Sequence, residues 1–239
     1  DAFTAPKKIR NYISDESAFQ KIIDLYEEKG TDEKLFAFEV TMQNHGGYSK
    51  DTDDFRESVY LTDELNQGTQ VRAAEKYLTL IQKSDEAFKE LVEYFEKQKE
   101  PTIILMFGDH QPSDYITNVI LRELDLDRDE SQDVYFDNYI VPYIMWSNYD
   151  MDTTQVENIS LNYLSGLLME KAGIGLTGYQ QFLKDMQAEL PVITANMVME
   201  ADGDREPEKD IQSEWIENYN KLVYNHLCDK TGKLSGFFE

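Results

Sequence analysis

The chain has 239 residues, 41% hydrophobic and 12% aromatic, which is ample for a folded core and well outside the disordered class. Its net charge of −24 argues against nucleic acid or anionic membrane as a direct partner, and an anionic substrate would need a local cation to offset that field. The single cysteine, Cys228, excludes an intrachain disulfide framework, and no apolar stretch approaches the roughly 20 residues of a membrane helix.

The chain opens at DAFTAPKKIR without an initiator Met, which reads as a processed or truncated piece. In chain order, Asp15 or Ser17 caps a predicted helix running to about Lys29, with Phe19, Ile22, Ile23 and Tyr26 on one stripe and Gly30 ending it. LFAFEVTM (35–42) follows as a predicted strand, with Phe36, Phe38, Val40 and Met42 on one face and Ala37, Glu39 and Thr41 on the other. It runs into the polar loop QNHGGYSKDTDD. From about Gly68 to Lys99 the apolar period is helical, with the polar KSDE in the middle as a candidate kink, and Pro101 stops it. TIILMF (102–107) has the unbroken apolar character of a strand buried on both faces.

A helix capped by Ser113 comes next, then a third strand at IVPYIMWS (140–147). SLNYLSGLLMEKAG and TGYQQFLKDMQ read as two further helices, ADGDREPEKD (201–210) as a solvated loop, and about Ile211 to Leu227 as the last helix. Strands alternating with helices imply an α/β sheet with helices on both faces. With no internal repeat and no low-complexity linker, residues 1–239 read as a single domain.

Two of the predicted strands end in histidine-bearing loops, and sites in α/β sheets gather beyond the carboxyl ends of strands. In ILMFGDHQP, Asp109 and His110 would alternate faces on a continuing strand. Gly108 relaxes the backbone before them and Pro112 stops the strand after them, so a turn can aim both at one point. Carboxylate plus imidazole suits a divalent ion such as Mn²⁺, Zn²⁺ or Mg²⁺. The competing reading is that Asp109 caps a turn and His110 is a hydrogen-bonded loop histidine.

In QNHGG, His45 reads either as a loop histidine bonded to a neighbouring carbonyl or as a contact for an anion or leaving group. Asn44 and two glycines would support the second role. His226 sits among Trp215, Tyr219, Leu222, Val223 and Leu227 at helical spacing and reads as structural. No Gly-x-Ser-x-Gly elbow is present, and nothing specifies a triad of Ser49, His45 and Asp109.

Taken together, LFAFEVTMQNHGGY, the YLTLIQKSDEAFKELVEYFEKQKEPTIILMFGDHQP block, VPYIMWSNYD, ISLNYLSGLLMEKAGI and the closing WIENYNKLVYNHLCDK resemble the C-terminal half of bacterial sulfatase-domain proteins. The group is the lipoteichoic acid synthase and phosphoglycerol transferase branch of the alkaline phosphatase superfamily. That resemblance implies an alkaline phosphatase-like fold and an extracellular catalytic domain beside a membrane anchor. It also implies transfer of phosphoglycerol from an anionic lipid through a covalent phospho-threonine, with a divalent metal, usually Mn²⁺, with Mg²⁺, Zn²⁺ or Ca²⁺ as alternatives.

Carried over, Asp109 and His110 are two metal ligands, and His45, with Asn44, contacts the phosphoryl group or glycerol. The family's threonine nucleophile, first acidic ligand and substrate-contacting arginine would lie upstream of Asp1, so the chain reads as half a site that self-associates through exposed edges. Alternatives are a sulfate- or phosphate-ester hydrolase on the same scaffold and a non-catalytic module binding a polyanion or a protein.

Overall fold

A computed structural model describes residues 3–62, 68–126, 137–154, 156–207 and 213–239. The chain divides into two compact units, residues 1–148 and 149–239.

The first unit opens with a hairpin that the periodicity does not reveal. β1 (Lys8–Ile9) pairs antiparallel with β2 (Tyr12–Ile13), leaving Arg10 and Asn11 as its two-residue turn. Both turn residues have positive φ, 54° and 71°, the type I′ geometry whose twist matches the flanking strands.

α1 (Asp15–Glu28) is capped by Ser14, whose side chain accepts from the Ser17 amide, and not by Asp15 or Ser17. Asp15 and Glu16 occupy the first turn, where a negative charge meets the positive end of the helix dipole.

α2 (Thr69–Phe95) runs unbroken through KSDE. Ser84 keeps the buried face while Asp85 and Glu86 stay in water, so the polar quartet obeys the helical period and does not interrupt it. Ala18, Phe19 and Ile23 of α1 pack on Ala87, Leu91 and Phe95 of α2. Burial of each large side chain there contributes about 1.5–3 kcal/mol.

β3 (Ile103–Phe107) pairs with β4 (Tyr143–Ser147) in register from Ile103↔Ser147 to Phe107↔Tyr143. The pairing is antiparallel, whereas alternation of strands and helices suggests parallel neighbours. The connection between the two carries α3 (Asp114–Glu123) but returns the chain in the opposite sense. Ile104, Met106 and Trp146 pack against the α1–α2 cluster.

Asn148 locks the start of this pair. Its Nδ2 donates to the carbonyls of Phe95, Gln98 and Glu100 at 3.1, 3.1 and 2.9 Å, and its Oδ1 accepts the Thr102 amide at 2.8 Å.

The predicted strand at 35–42 is not a strand: it joins no ladder with any described residue. Phe36, Phe38 and Val40 are 82, 71 and 64% exposed. A period of two sets which residues share a face, but a strand also needs a neighbour to take its main-chain hydrogen bonds, and period carries no information about that.

In the second unit, a 3₁₀ turn (Leu161–Tyr163) leads into α4 (Leu164–Lys171), and α5 (Gly178–Glu189) starts at a capping box formed by Thr177 and Gln180. β5 (Val192–Ile193), β6 (Met197–Met199) and β7 (Arg205–Pro207) form an antiparallel sheet. β7 therefore replaces part of the loop expected at 201–210, of which 208–210 lie outside the described residues. The polar residues of β7 suit an exposed edge strand, where only one side pairs.

α6 (Glu214–Leu227) matches the last predicted helix, although Ile211 and Gln212 lie outside the described residues, and a short α7 (Ser235–Phe238) follows. Tyr163, Leu183, Met186, Leu190 and Val198 form the core, with Trp215, Ile216 and Tyr219 packed on it. The His226 ring lies 4.3 Å from the Phe238 ring, centroid to centroid. Among the described residues, no helix is long and apolar enough to cross a membrane.

Candidate functional site

The corner after β3 is built as a sharp departure from the strand. Gly108 donates its amide to the Pro142 carbonyl at 3.1 Å, and a Cβ there would stand 3.1 Å from Val141 Cβ. Close approach, more than backbone freedom, is what calls for glycine at this position. Gln111 then ties the corner down, its Nε2 donating to the carbonyls of Asp137 and Ile140 at 2.7 and 2.8 Å. Ser113 starts α3 directly behind it.

The result is an open cleft of about 390 Å³, lined by Asp109, His110, Gln111, Pro112, Ser113, Asp114, Asn138 and Tyr139. That volume lies within the range of small-molecule sites.

Asp109 and His110 converge. Asp109 Oδ1 accepts the His110 amide at 2.8 Å, and Asp109 Oδ2 stands 3.5 Å from His110 Nε2. His110 Nδ1 lies 2.8 Å from the Gln111 carbonyl oxygen. A carbonyl only accepts, so Nδ1 carries a proton and donates it. In the neutral ring Nε2 then presents a lone pair beside a carboxylate oxygen. Two acceptors this close, open to solvent, are a seat for a proton, a bridging water or a cation.

A main-chain carbonyl on the non-coordinating nitrogen is also the usual orientation device of metal-bound histidines. Both side chains are open to solvent, at 75 and 84% exposure for His110 and Asp109. The residues therefore fit two ligands of one divalent ion. Among the described residues no group of three or more His, Cys, Asp or Glu converges to complete a cage.

His45 is not among the lining residues of that cleft. It belongs to a second cluster in the same unit, on a loop held from several sides. Gln43 is 1% exposed; its Oε1 accepts the Asp15 amide at 3.1 Å, and its Nε2 donates to Ser84 Oγ and the Leu80 carbonyl at 3.2 and 3.3 Å. Asn44 is turned the same way, its Nδ2 donating to Ser84 Oγ at 2.8 Å. Asn44, expected beside a substrate, serves in the structure as a strut of the loop. Tyr48 donates to the Asn44 carbonyl.

Ser84 donates in turn to Asp15 Oδ2 at 2.5 Å. Asp15 is buried, and desolvation raises its pKa despite hydrogen bonds from Ser84 and Thr41. Arg10 holds the carbonyls of His45 and Gly46, and the Tyr12 hydroxyl lies 3.4 Å from His45 Nδ1. Tyr12, not Ser49, is therefore the ring's hydrogen-bond partner. Gln43, Ser84, Arg10 and Tyr12 escape a reading by motif. Only the Arg-Asn pair between KKI and YI, at two-residue hairpin spacing, hints at the last two.

The sulfatase family's sequence profile matches residues 1–174. The chain belongs to the sulfatase family. A Rhizobium meliloti (strain 1021) protein named for cyclic beta-1,2-glucan modification is 24% identical over 95% of this chain and 36% of its own length. The capsular polysaccharide biosynthesis protein RkpI of the same organism is 26% identical over 47% of this chain and 18% of its own.

Among solved structures, the Streptococcus pyogenes phosphoglycerol transferase GacH, in complex with sn-glycerol-1-phosphate, superposes with a TM-score of 0.60. It is 16% identical and covers 93% of this chain and 51% of that one. This sulfatase-family chain has the sulfatase fold and spans about a third to a half of the length of these two broad matches.

Proposed function

We propose that this chain supplies the Asp109–His110 metal corner and the His45 contact to a divalent-metal-dependent enzyme acting on phosphate esters at the cell envelope, with phosphoglycerol transfer as the reaction. The observation that carries the reading is the paired acceptors of the corner: Nε2 of His110, its other nitrogen spent on the Gln111 carbonyl, 3.5 Å from a carboxylate oxygen in an open cleft. Membership of the sulfatase family and a fold shared with a phosphoglycerol transferase support that reaction class. The capsular polysaccharide name of one relative supports a place at the envelope.

A bound Mn²⁺ or similar ion would supply charge stabilisation on phosphoryl oxygens. Asp109 and His110 would hold it, and the carboxylate would offset its charge. His45 presents a ring nitrogen as hydrogen-bond donor to the departing oxygen. Gln43, Asn44 and Ser84 keep that loop in place.

The chain itself tests the metal corner. On titration with Mn²⁺, the ring-proton NMR signals of His110 broaden at lower metal concentration than those of His226, and Asp109→Ala removes the difference. Equal broadening of the two would overturn the assignment of the corner as ligands.

A further inference from the structure

The β1–β2 hairpin carries two side chains that the proposed reaction leaves unused. Arg10 takes the first central position of a type I′ turn with φ of 54°, a place suited to glycine, asparagine or aspartate. For arginine this left-handed conformation is unfavourable, and it persists only where the surroundings over-determine it.

Here they do. The Arg10 amide donates to Asp54 Oδ2 at 2.9 Å, and the side chain is 6% exposed, with its guanidinium 4.8 Å from the Tyr48 ring centroid. Nη2 donates to the carbonyls of His45 and Gly46 at 3.2 and 3.1 Å. One terminal nitrogen of a nearly buried guanidinium thus holds two consecutive main-chain carbonyls of the loop that carries His45, while Nη1 is buried without a hydrogen-bond partner among the described residues. Gly47, with φ of 100°, lets the loop turn directly after them.

Two residues along the same hairpin, the Tyr12 hydroxyl meets His45 Nδ1 at 3.4 Å, the rings 5.8 Å apart. The polarity of that bond follows from its partners. A phenol O–H is a good donor, whereas its oxygen is a poor acceptor because its lone pair is delocalised into the ring. An unprotonated imidazole nitrogen is a strong acceptor.

We propose that the β1–β2 hairpin is the positioning device for His45: Arg10 fixes the main chain at residues 45–46, and Tyr12 donates to Nδ1. The imidazole therefore keeps its own proton on Nε2, the nitrogen turned away from Tyr12. Arg10 and Tyr12 act through His45 and its loop, as positioning residues. The inference rests on His45 as the hydrogen-bond donor of the proposed reaction, and it explains why a histidine is protonated on the nitrogen that role requires. It also sets His45 opposite to His110, which carries its proton on Nδ1.

The test is the ring-nitrogen spectrum of the full chain labelled with ¹⁵N, in which three histidines are assigned by His45→Gln and His110→Gln. The expected result is His45 protonated on Nε2, with Nδ1 displaced in the manner of a hydrogen-bonded acceptor. Tyr12→Phe moves that Nδ1 resonance alone, leaving His110 and His226 where they were. Arg10→Lys broadens the His45 ring signals, because one ammonium cannot serve both carbonyls and stack on Tyr48.

A wild-type His45 protonated on Nδ1 would overturn the proposal, as would an Nδ1 resonance indifferent to Tyr12→Phe or one that moves together with those of the other histidines. Phosphodiester turnover left intact by His45→Gln would instead remove the catalytic reading of His45 and leave its positioning standing.

Discussion

His45 and His110 lie in the same unit, each on a loop after an extended segment, and they are held in opposite ways. The His45 ring is engaged by Tyr12 and its main chain by Arg10, both of the hairpin, while Gln43 and Asn44 of its own loop are anchored to Ser84 of α2. His110 is held by its immediate neighbours, Asp109 and Gln111, and its side chain is 75% exposed. A group meant to orient a substrate oxygen gains from a rigid surround, because every degree of freedom removed beforehand is not lost on binding. His110, by contrast, is oriented only locally, its ring by the adjacent Gln111 carbonyl.

The largest effect expected from breaking this contrast lies in the frame behind the corner. The Asp109–His110 pair has few side-chain struts, so its placement depends on the β3–β4 main chain, whose start Asn148 ties with four hydrogen bonds. Asn148→Ala should destabilise the chain by about 2–4 kcal/mol, read as a lower midpoint in urea unfolding. A loss under about 0.5 kcal/mol would mean that the corner is framed in some other way.

A smaller effect is expected on the His45 side. Gly47→Ala forces a Cβ onto a residue with φ of 100° and should cost about 1–2 kcal/mol. Gly46→Ala, where an added Cβ meets nothing within 4 Å, serves as the control and should cost less. Equal losses would show that the loop is not held in the turn that brings its carbonyls to Arg10.

The smallest effect is one of sign. Burial raises the pKa of Asp15, the carboxylate behind the His45 loop, so folding favours its protonated form. Its contribution is full below the unfolded-state pKa and is lost as pH rises through the folded one. Asp15→Asn keeps the shape without the charge, so thermal melts should show it gaining stability relative to wild type as pH rises from about 4 towards 7. A gap that stays flat over that range would mean that Asp15 remains ionised in the fold.

Much of the chain was legible from residues alone. The α1 and α2 stripes are functions of spacing, and a helix makes its own hydrogen bonds, so local order suffices to specify it. The Asp109–His110 turn was legible for the same reason, because Gly108 and Pro112 are local instructions. What spacing could not supply was partnership. It placed a strand at 35–42 that finds no neighbour among the described residues, and it took β7 for a loop, because strand pairing joins residues distant in sequence. The surround of His45 failed to show for the same reason: Arg10, Tyr12, Gln43 and Ser84 come from a hairpin, a loop and a helix, and only their folded arrangement brings a guanidinium to one carbonyl pair and a phenol to one ring nitrogen. Residue types, helix faces and the Asp109–His110 turn were set by the sequence itself, while tertiary structure decided which histidine is held in advance and which nitrogen keeps its proton.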